Sequence, residues 1–451
     1  MPRLALCLLS ASLFGFASAC SSEAPRPNVL MIVVDTLRDD RLGCYGSGLE
    51  TSPAIDGLAA SGALFENAYA PSPWTKPSVA SILTGKYPSG HGLTGLDAKL
   101  PKGARSIAER LKAAGYATAG VVSNKLIGGF SRGFDTFDKS EAKGPNHVSA
   151  RGVTNKAIKL MKGLSARKKP FFLYVHYFDP HVDYKAHPQL GFTPNDVGRL
   201  DGTQSWNELH ELRNDLTPEE VKYVRDLYDG EVRYTDDFVG ELLVSLDALE
   251  LTDNTIVAFT ADHGEEIFEH GNIGHTRALY EELIRVPLII RAPGVAPGTR
   301  LEHSVTLVSL VPTILDLARV PANAKEFQSI SLSKRLTGGE QPSTEASIFA
   351  EVDFVPPKKG KVPVGLTRMK SLKVGRYKII ADELKGTFAI FDLLEDPDEL
   401  VDIADEDPER LASLKKKLEF AITQSKRGAL EADTEELTEE EIQSLEELGY
   451  L

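Results

Sequence analysis

The chain has 451 residues, enough for one large catalytic domain and a smaller appendage. Hydrophobic residues make up 42% and charged residues 26% of it, which argues against wholesale disorder. A net charge of −14 argues against a nucleic-acid partner, because such binding depends on clustered Lys and Arg.

The N-terminus has the pattern of a secretory signal that ends in a lipidation site. MPR is a short basic segment, LALCLLSASLFGF is apolar but short for a membrane span, and ASAC surrounds a cleavage point with small residues. ASAC-SS resembles a bacterial lipobox, which implies that Cys20 carries a lipid. We therefore expect a signal peptide over 1–20, a tether over 21–27, and a lipoprotein on the periplasmic or surface side of a bacterial envelope, held by this anchor alone. Simple secretion is the alternative.

Unbroken apolar runs recur along the chain, and each suits a strand that is buried on both faces. They are NVLMIVVD, YATAGVVSN, PFFLYVHYFDPH, TIVAFTADHG and VPLIIRAPG. Helical patterns separate them, including one that starts with Thr217 as N-cap, Pro218 at the first helical position and Glu220 completing a capping box. The alternation predicts an α/β catalytic domain over 28–340, a doubly wound, mostly parallel sheet flanked by helices.

After about residue 340 the pattern changes. SIFAEVDF, LKVGRYKIIAD and GTFAIFDLLEDP are typical of short strands, and ERLASLKKKLEFAI of a helix. We therefore predict a small antiparallel α+β subdomain over 341–428. An acidic amphipathic tail follows over 429–451.

Acidic and imidazole side chains stand where two of the predicted strands end. In doubly wound sheets ligands bind at the carboxyl ends of the strands, which is where Asp35, Asp262 and His263 fall. Asp35 alone is equally consistent with a helix cap. Asp262 and His263 place a hard oxygen beside an imidazole, a suitable pair for a divalent metal, and Gly264 allows close backbone approach. The sequence therefore predicts a metal site at this edge.

Three other segments supply a hydroxyl and two imidazoles. Thr75 precedes a Ser-rich helical stretch, where a hydroxyl can meet an anion held by free backbone N–H groups, although a helix cap is the alternative interpretation. His181 lies in YFDPHVDY and His275 in GNIGHTRALYEE. We interpret His176, within an apolar strand, as a packed residue.

In order and spacing these segments resemble the sulfatase family of the alkaline phosphatase superfamily. The segments that carry the resemblance are VVDTLRDDRLGCYG, TKPSVASILTGKYP, FDPHVDY, TADHGEE, GHTRALYEELIRVPLII and IFDLLEDPDELVDIAD. It extends over residues 27–451. It implies an alkaline phosphatase-like fold and a hydrolase of sulfate or phosphate esters of a small molecule, glycan or lipid. It also implies one divalent metal ion (Ca, Mg, Mn or Zn).

The resemblance gives a role to each matching residue. The implied metal ligands are Asp35, Thr75, Asp262 and His263. The implied catalytic residues are Thr75, His181 and His275. The implied substrate-binding residues are Lys76, Asn124 and Lys125. Two-metal relatives space a second Asp and His by four residues, whereas Asp179 and His181 are two apart, so one metal is expected.

Three departures from the family pattern bear on the substrate. The Cys or Ser that matures to formylglycine is Thr75, which cannot be converted, so no formylglycine is expected. The Arg of C-x-P-x-R is Val79, and VVSNKLIGG, with Lys125, replaces Gly-Lys-Trp-His. A formylglycine hydrate expels sulfate by elimination, whereas a sulfo-threonine must be hydrolysed at sulfur. A phospho-threonine needs only in-line displacement at phosphorus, which favours phosphomono- or diesters.

Other functions remain open on the sequence. A true sulfuric ester hydrolase of the arylsulfatase type is one alternative, since overall similarity favours sulfatases. A phosphoethanolamine-type transferase and a non-catalytic surface-binding lipoprotein are two more. The sequence gives no prediction of the oligomeric state.

Overall fold

The computed structural model describes residues 25–144, 147–192, 197–339, 347–354, 366–434 and 437–447. The expected signal peptide, with Cys20, lies outside these ranges. Within them, no helix combines the length and the apolar character that a membrane span requires.

Seventeen strands and twelve helices form the described part of the chain. The strands are β1 (Asn28–Val34), β2 (Ala63–Tyr69), β3 (Ala98–Lys99), β4 (Ala117–Val122), β5 (Thr136–Asp138), β6 (Phe171–Tyr177), β7 (Thr255–Ala261), β8 (Glu266–Ile267), β9 (Ile273–Gly274), β10 (Arg285–Arg291), β11 (Thr299–Leu301), β12 (Val305–Thr306), β13 (Ile348–Phe354), β14 (Thr367–Val374), β15 (Tyr377–Asp382), β16 (Thr387–Asp392) and β17 (Asp433–Thr434). The helices are α1 (Pro53–Ser61), α2 (Thr75–Thr84), α3 (Pro88–His91), α4 (Ile107–Ala113), α5 (Ala150–Ser165), α6 (Trp206–Leu212), α7 (Pro218–Ala248), α8 (Glu281–Ile284), α9 (Leu310–Leu317), α10 (Ser333–Leu336), α11 (Pro408–Ser425) and α12 (Glu439–Glu447).

A large mixed sheet forms the centre of the molecule, in the order β11-β2-β10-β7-β1-β6-β4-β5, with β12 also pairing with β2. The inner strands β7, β1, β6, β4 and β5 are all parallel. Strands β1, β6 and β7 are buried along their whole length, because helices cover the sheet. This confirms the predicted α/β class and the mostly parallel sheet.

One of the five apolar runs does not run parallel to the others. Strand β10 is antiparallel to both of its neighbours, β7 and β2. A fully buried run carries no mark of its direction, because either direction satisfies the ladder and buries the same side chains. The predicted strand at VPLIIRAPG is present, and its direction makes the sheet mostly rather than wholly parallel, as expected.

The long helix α7 begins as its sequence indicates. Thr217 accepts a hydrogen bond from the Glu220 backbone, Glu220 caps the Thr217 backbone in return, and Pro218 is at the first helical position. The helix packs against α5 and α1, and α5 packs on β4 and β6. These contacts fix the helical layer behind the parallel strands.

The predicted antiparallel subdomain is a four-stranded meander in the order β13-β14-β15-β16. Helix α11 packs against β14 and β15. Helix α12 follows, and its Ile442 and Leu445 join an apolar cluster with Trp74 and Leu279. The tail therefore contacts the segments that lead to Thr75 and His275.

Candidate active site

The register of the sheet brings Asp35 and Asp262 together. Val34 at the end of β1 pairs with Ala261 at the end of β7, so the next residue of each strand is an aspartate. Both carboxylates are buried, as is His263. The His263 Nε2 atom lies 3.5 Å from Asp35 Oδ1 and 3.7 Å from Asp262 Oδ2. The three side chains predicted to bind metal thus form one cluster.

Thr75 is the first residue of α2, and its hydroxyl faces that cluster. The Thr75 Oγ1 atom lies 3.4 Å from Asp35 Oδ1 and 3.3 Å from His263 Nε2. The N-cap position is Trp74, which makes no side-chain cap bond. Helix α2 is held in place by Ser78, whose hydroxyl donates to the Asp262 carbonyl over 2.5 Å. Thr75 is therefore not a helix cap, and its oxygen points at the proposed metal ligands.

The chemistry of this cluster fits a divalent cation. Asp262 Oδ2 is buried and has no hydrogen-bond partner among the described residues. Burial and the neighbouring Asp262 raise the pKa of Asp35 well above its usual range. Burial lowers the pKa of His263 to about 4, which leaves its imidazole neutral and able to ligate. Two buried carboxylates beside a neutral imidazole and a hydroxyl are a donor set that a cation would balance.

A further imidazole, from His176, belongs to the same cluster. Single ligand atoms of Asp35, His176 and Asp262 all lie within 4.8 Å of one another. The His176 Nε2 atom is 3.8 Å from Asp262 Oδ2, and neither ring nitrogen has a hydrogen-bond partner in the described part of the chain. Our interpretation of His176 as only a packed residue missed this position. The strand register puts it there, since His176 pairs with Val33, two residues before Asp35, and this register could not be read from a uniformly apolar strand.

His275 lies next to His263, and His181 lies next to His275. The His275 ring centroid is 4.6 Å from that of His263 and 5.0 Å from that of His181. Glu265 connects these loops: its Oε1 is 2.7 Å from His275 Nδ1, and its Oε2 accepts a hydrogen bond of 3.5 Å from the Val182 backbone. Glu265 stands two residues after His263 and was not among the residues predicted for the site.

Burial controls the protonation of these three groups. It lowers the pKa of His181 to about 3 and that of His275 to about 4, and it raises the pKa of Glu265 to about 7. Glu265 and His275 therefore hold one proton between them up to about pH 7. A proton held 2.7 Å from a histidine nitrogen is available for a leaving group.

The three predicted substrate-binding residues are placed differently. Asn124 follows β4, and its Nδ2 donates to Asp35 Oδ2 over 2.6 Å, so it orients a metal-site carboxylate. Lys125 begins a single 3-10 turn after it and is partly exposed. The Lys76 ammonium donates to the Leu96 carbonyl. Asn124 thus contacts the metal cluster directly.

Comparisons with known proteins agree with this architecture. A family profile described as "Sulfatase" matches residues 27–320, and one described as "N-sulphoglucosamine sulphohydrolase, C-terminal" matches residues 269–427. Iduronate 2-sulfatase of Mus musculus is 30% identical in an alignment of 395 positions that covers 68% of this chain and 71% of that protein. N-acetylglucosamine-6-O-sulfatase of Bacteroides thetaiotaomicron is 26% identical over 89% of this chain and 86% of its own length.

A solved structure extends the likeness to a phosphorus ester hydrolase. The phosphonate monoester hydrolase of Agrobacterium radiobacter superposes with a TM-score of 0.72 over 92% of this chain and 99% of its own. Its sequence is 22% identical, so the likeness concerns the fold. It confirms the fold that the motif resemblance implied.

Proposed function

The chain belongs to the sulfatase family and is an ester hydrolase, and we propose that Thr75 is its nucleophile and that phosphorus esters are its preferred substrates. The observation that carries the proposal is the position of Thr75 Oγ1, 3.4 Å from Asp35 and 3.3 Å from His263. This buried hydroxyl, at the start of α2 and beside a carboxylate and an imidazole, is placed for attack. The substrate is an ester of a small molecule, a glycan or a lipid.

Asp35, Asp262 and His263 would hold one divalent cation together with the Thr75 oxygen. When bound, such a cation stabilises an alkoxide and offsets charge on the transferring group. The Asn124 Nδ2 atom orients the Asp35 carboxylate by donating a hydrogen bond of 2.6 Å to its Oδ2. Sulfatase-family enzymes use a divalent metal, and this donor set is compatible with Ca, Mg, Mn or Zn.

The side chains divide the remaining work. The Thr75 hydroxyl gives up its proton to solvent and its Oγ forms a bond to phosphorus as the bond from phosphorus to the leaving oxygen breaks. The leaving oxygen takes a proton from His275 or from His181. Glu265 orients the His275 ring and supplies it with a proton. Water then hydrolyses the Thr75 ester and releases the acid.

Thr75 supports phosphorus over sulfur as the atom attacked. Without formylglycine there is no elimination route for sulfate, so a sulfo-threonine would have to be hydrolysed at sulfur. A phospho-threonine is resolved by in-line displacement. The likeness in fold to a phosphonate monoester hydrolase is consistent with this chemistry.

A sulfuric ester hydrolase is the second candidate, because the curated relatives reported above are sulfatases. The test is a kcat/KM series with 4-nitrophenyl phosphate, a phosphodiester, a phosphonate monoester and 4-nitrophenyl sulfate. We expect a phosphorus ester to rank first, Thr75→Ser to retain measurable turnover and Thr75→Ala to lose it. A clear preference for the sulfate ester would refute the phosphorus-ester assignment, and full activity of Thr75→Ala would refute the nucleophile.

A further inference from the structure

An arginine, Arg277, lies near the proposed catalytic histidine His275, and a second arginine, Arg213, lies near Arg277. Arg277 is two residues after His275, and its Cζ lies 5.4 Å from the centre of the Trp206 ring. The His210 ring stacks on Trp206 at 4.8 Å, and the Arg213 guanidinium donates to the His210 carbonyl. We call these four residues, Trp206, His210, Arg213 and Arg277, the rim cluster.

The charges of the rim cluster are not balanced within the protein. Neither guanidinium forms an ion pair with a carboxylate in the part of the chain that the structure describes. Burial and Arg213 lower the pKa of Arg277, and burial with the two arginines lowers the pKa of His210 to about 4. Glu266 attracts Arg277, but its Oε1 already accepts hydrogen bonds from the His270 and Asn272 backbones at 3.1 and 2.8 Å.

The backbone that carries Arg277 is strained and tied to the nucleophile loop. Thr276 has φ of +79°, which is costly for a β-branched residue and is retained where the surroundings enforce it. Its backbone N–H donates to the Pro73 carbonyl over 3.2 Å, two residues before Thr75. On the other side, Trp206 Nε1 donates to the Ile273 carbonyl over 3.2 Å. Arg277 is therefore held in one place relative to Thr75 and His275.

We propose that Arg277 and Arg213 form a second anion subsite, so that the preferred substrate carries a further anionic group, a carboxylate, sulfate or phosphate, on its leaving part. This deepens the proposed function and rests on it. Guanidinium groups bind such oxyanions through charge-assisted, bidentate hydrogen bonds. Arg277 lies near the residue that protonates the leaving oxygen, and Arg213 lies near Arg277, so the pair would contact the leaving part rather than the transferred group.

The test compares phenyl phosphate with 3-carboxyphenyl phosphate, or the matching sulfates if the wild-type enzyme prefers those. We expect wild type to favour the carboxylated ester, and Arg277→Gln to lower that preference at least about tenfold, mainly through KM, as for loss of a charge-assisted hydrogen bond. Arg277→Lys should recover part of it. Arg213→Gln should act in the same direction. The matched control is Arg300→Gln, which removes an exposed arginine paired with Glu66.

An unchanged preference in both Arg277→Gln and Arg213→Gln would overturn the subsite. Calorimetric titration of the Thr75→Ala protein with 3-carboxyphenyl phosphate separates this result from a failure of the proposed function. A weaker affinity for 3-carboxyphenyl phosphate after Arg277→Gln supports the subsite even if no ester is hydrolysed. An affinity that neither Arg277→Gln nor Arg213→Gln changes overturns it. Thermal unfolding checks that Arg277→Gln folds. If it does not, the preference for the carboxylated ester is measured in Arg277→Lys and Arg213→Gln instead.

Discussion

At the scale of single residues, the metal cluster explains a histidine that packing alone does not. His176 is fully buried in β6, and neither of its ring nitrogens has a hydrogen-bond partner among the described residues. An unsatisfied buried polar group costs about 1–3 kcal/mol, so it needs a reason. A cation between Asp35 and Asp262 would supply one, because a His176 nitrogen lies within 4.8 Å of ligand atoms of both.

We predict that His176→Phe lowers the affinity for a divalent metal on the order of 10- to 100-fold, the usual effect of losing a group that supports a metal site. Calorimetric titration of the metal-free protein with Mn²⁺ or Ca²⁺ measures this directly. The matched control is His91→Phe. His91 is equally buried, but its ring nitrogens contact Leu93 N, Ser81 and the Pro77 carbonyl rather than a carboxylate of the cluster, so its loss should reduce stability and spare metal affinity. Equal metal affinity in wild type and His176→Phe would show that His176 is a packed residue.

At the scale of secondary structure, strand ends were readable from the sequence and strand register was not. Asp35 and Asp262 each end an apolar run, so their meeting at one sheet edge follows from parallel strands. The place of His176 depends on how β6 is aligned with β1, and the direction of β10 depends on its partners. Neither property leaves a mark on a uniformly buried strand. Glu265 was missed because its partner, His275, lies on a separate loop.

The turn after β7 is an element whose geometry the site depends on. The Gly264 N–H donates to the Leu283 carbonyl over 2.9 Å, and a Cβ on Gly264 would lie 2.0 Å from the Glu282 carbonyl oxygen. We predict that Gly264→Ala displaces Asp262 and His263, lowering kcat/KM at least about a hundredfold and unfolding free energy by 1–3 kcal/mol or more, roughly the cost of overpacking.

The control for that substitution is Gly163→Ala in helix α5, where an added Cβ meets nothing within 4 Å. It should keep full activity and gain about 0.5–1 kcal/mol of stability, because alanine is the better helix residue. Denaturant unfolding and steady-state kinetics on both variants give the comparison. Wild-type activity in Gly264→Ala would mean that the turn tolerates a shift and does not position the ligands.

At the scale of the whole molecule, a buried charge cluster joins the C-terminal sheet to the catalytic part. Lys378 of β15 lies 2.9 Å from Glu281 and 3.0 Å from Glu399, and Tyr69 donates to Glu281 over 3.0 Å. One lysine cannot balance two buried carboxylates. Burial therefore raises the pKa of Glu399 to about 7 despite the contact with Lys378.

This charge cluster makes stability depend on pH. The folded-state pKa of Glu399 is raised from 4.5 to about 7, so the folded state binds its proton more tightly than the unfolded state does. Its stabilising contribution is therefore complete below about pH 4.5 and is lost as the pH rises through about 7. We predict that Glu399→Gln, which imitates the protonated form, removes a decline on the order of 1–3 kcal/mol between pH 5 and pH 8.

Urea unfolding at several pH values compares the two proteins. The control is Glu395→Gln, at a glutamate with 75% side-chain exposure, which should follow wild type at every pH. Parallel pH profiles for wild type and Glu399→Gln would show that Glu399 is ionised in the folded protein throughout this range.

The anchor is a prediction that the sequence alone supports, since Cys20 lies outside the described residues. Replacing Cys20 with Ala should move the protein from the membrane fraction of the producing bacterium to the soluble fraction, because a lipid chain is what would hold it there. Fractionation and immunoblotting measure the ratio. Retention of the variant in the membrane fraction at the wild-type level would refute the lipoprotein assignment.

The central claim is that Thr75 attacks and carries the transferred group. The most direct measurement is mass spectrometry of the peptide containing Thr75 after acid quenching during turnover of the best phosphorus ester. We predict a phosphoryl or phosphonyl adduct on Thr75 that accumulates when hydrolysis of the intermediate is slowed, as expected for covalent catalysis in two steps. The adduct should be absent from Thr75→Ala. Turnover without any adduct on Thr75, or an adduct on a different residue, would contradict the account.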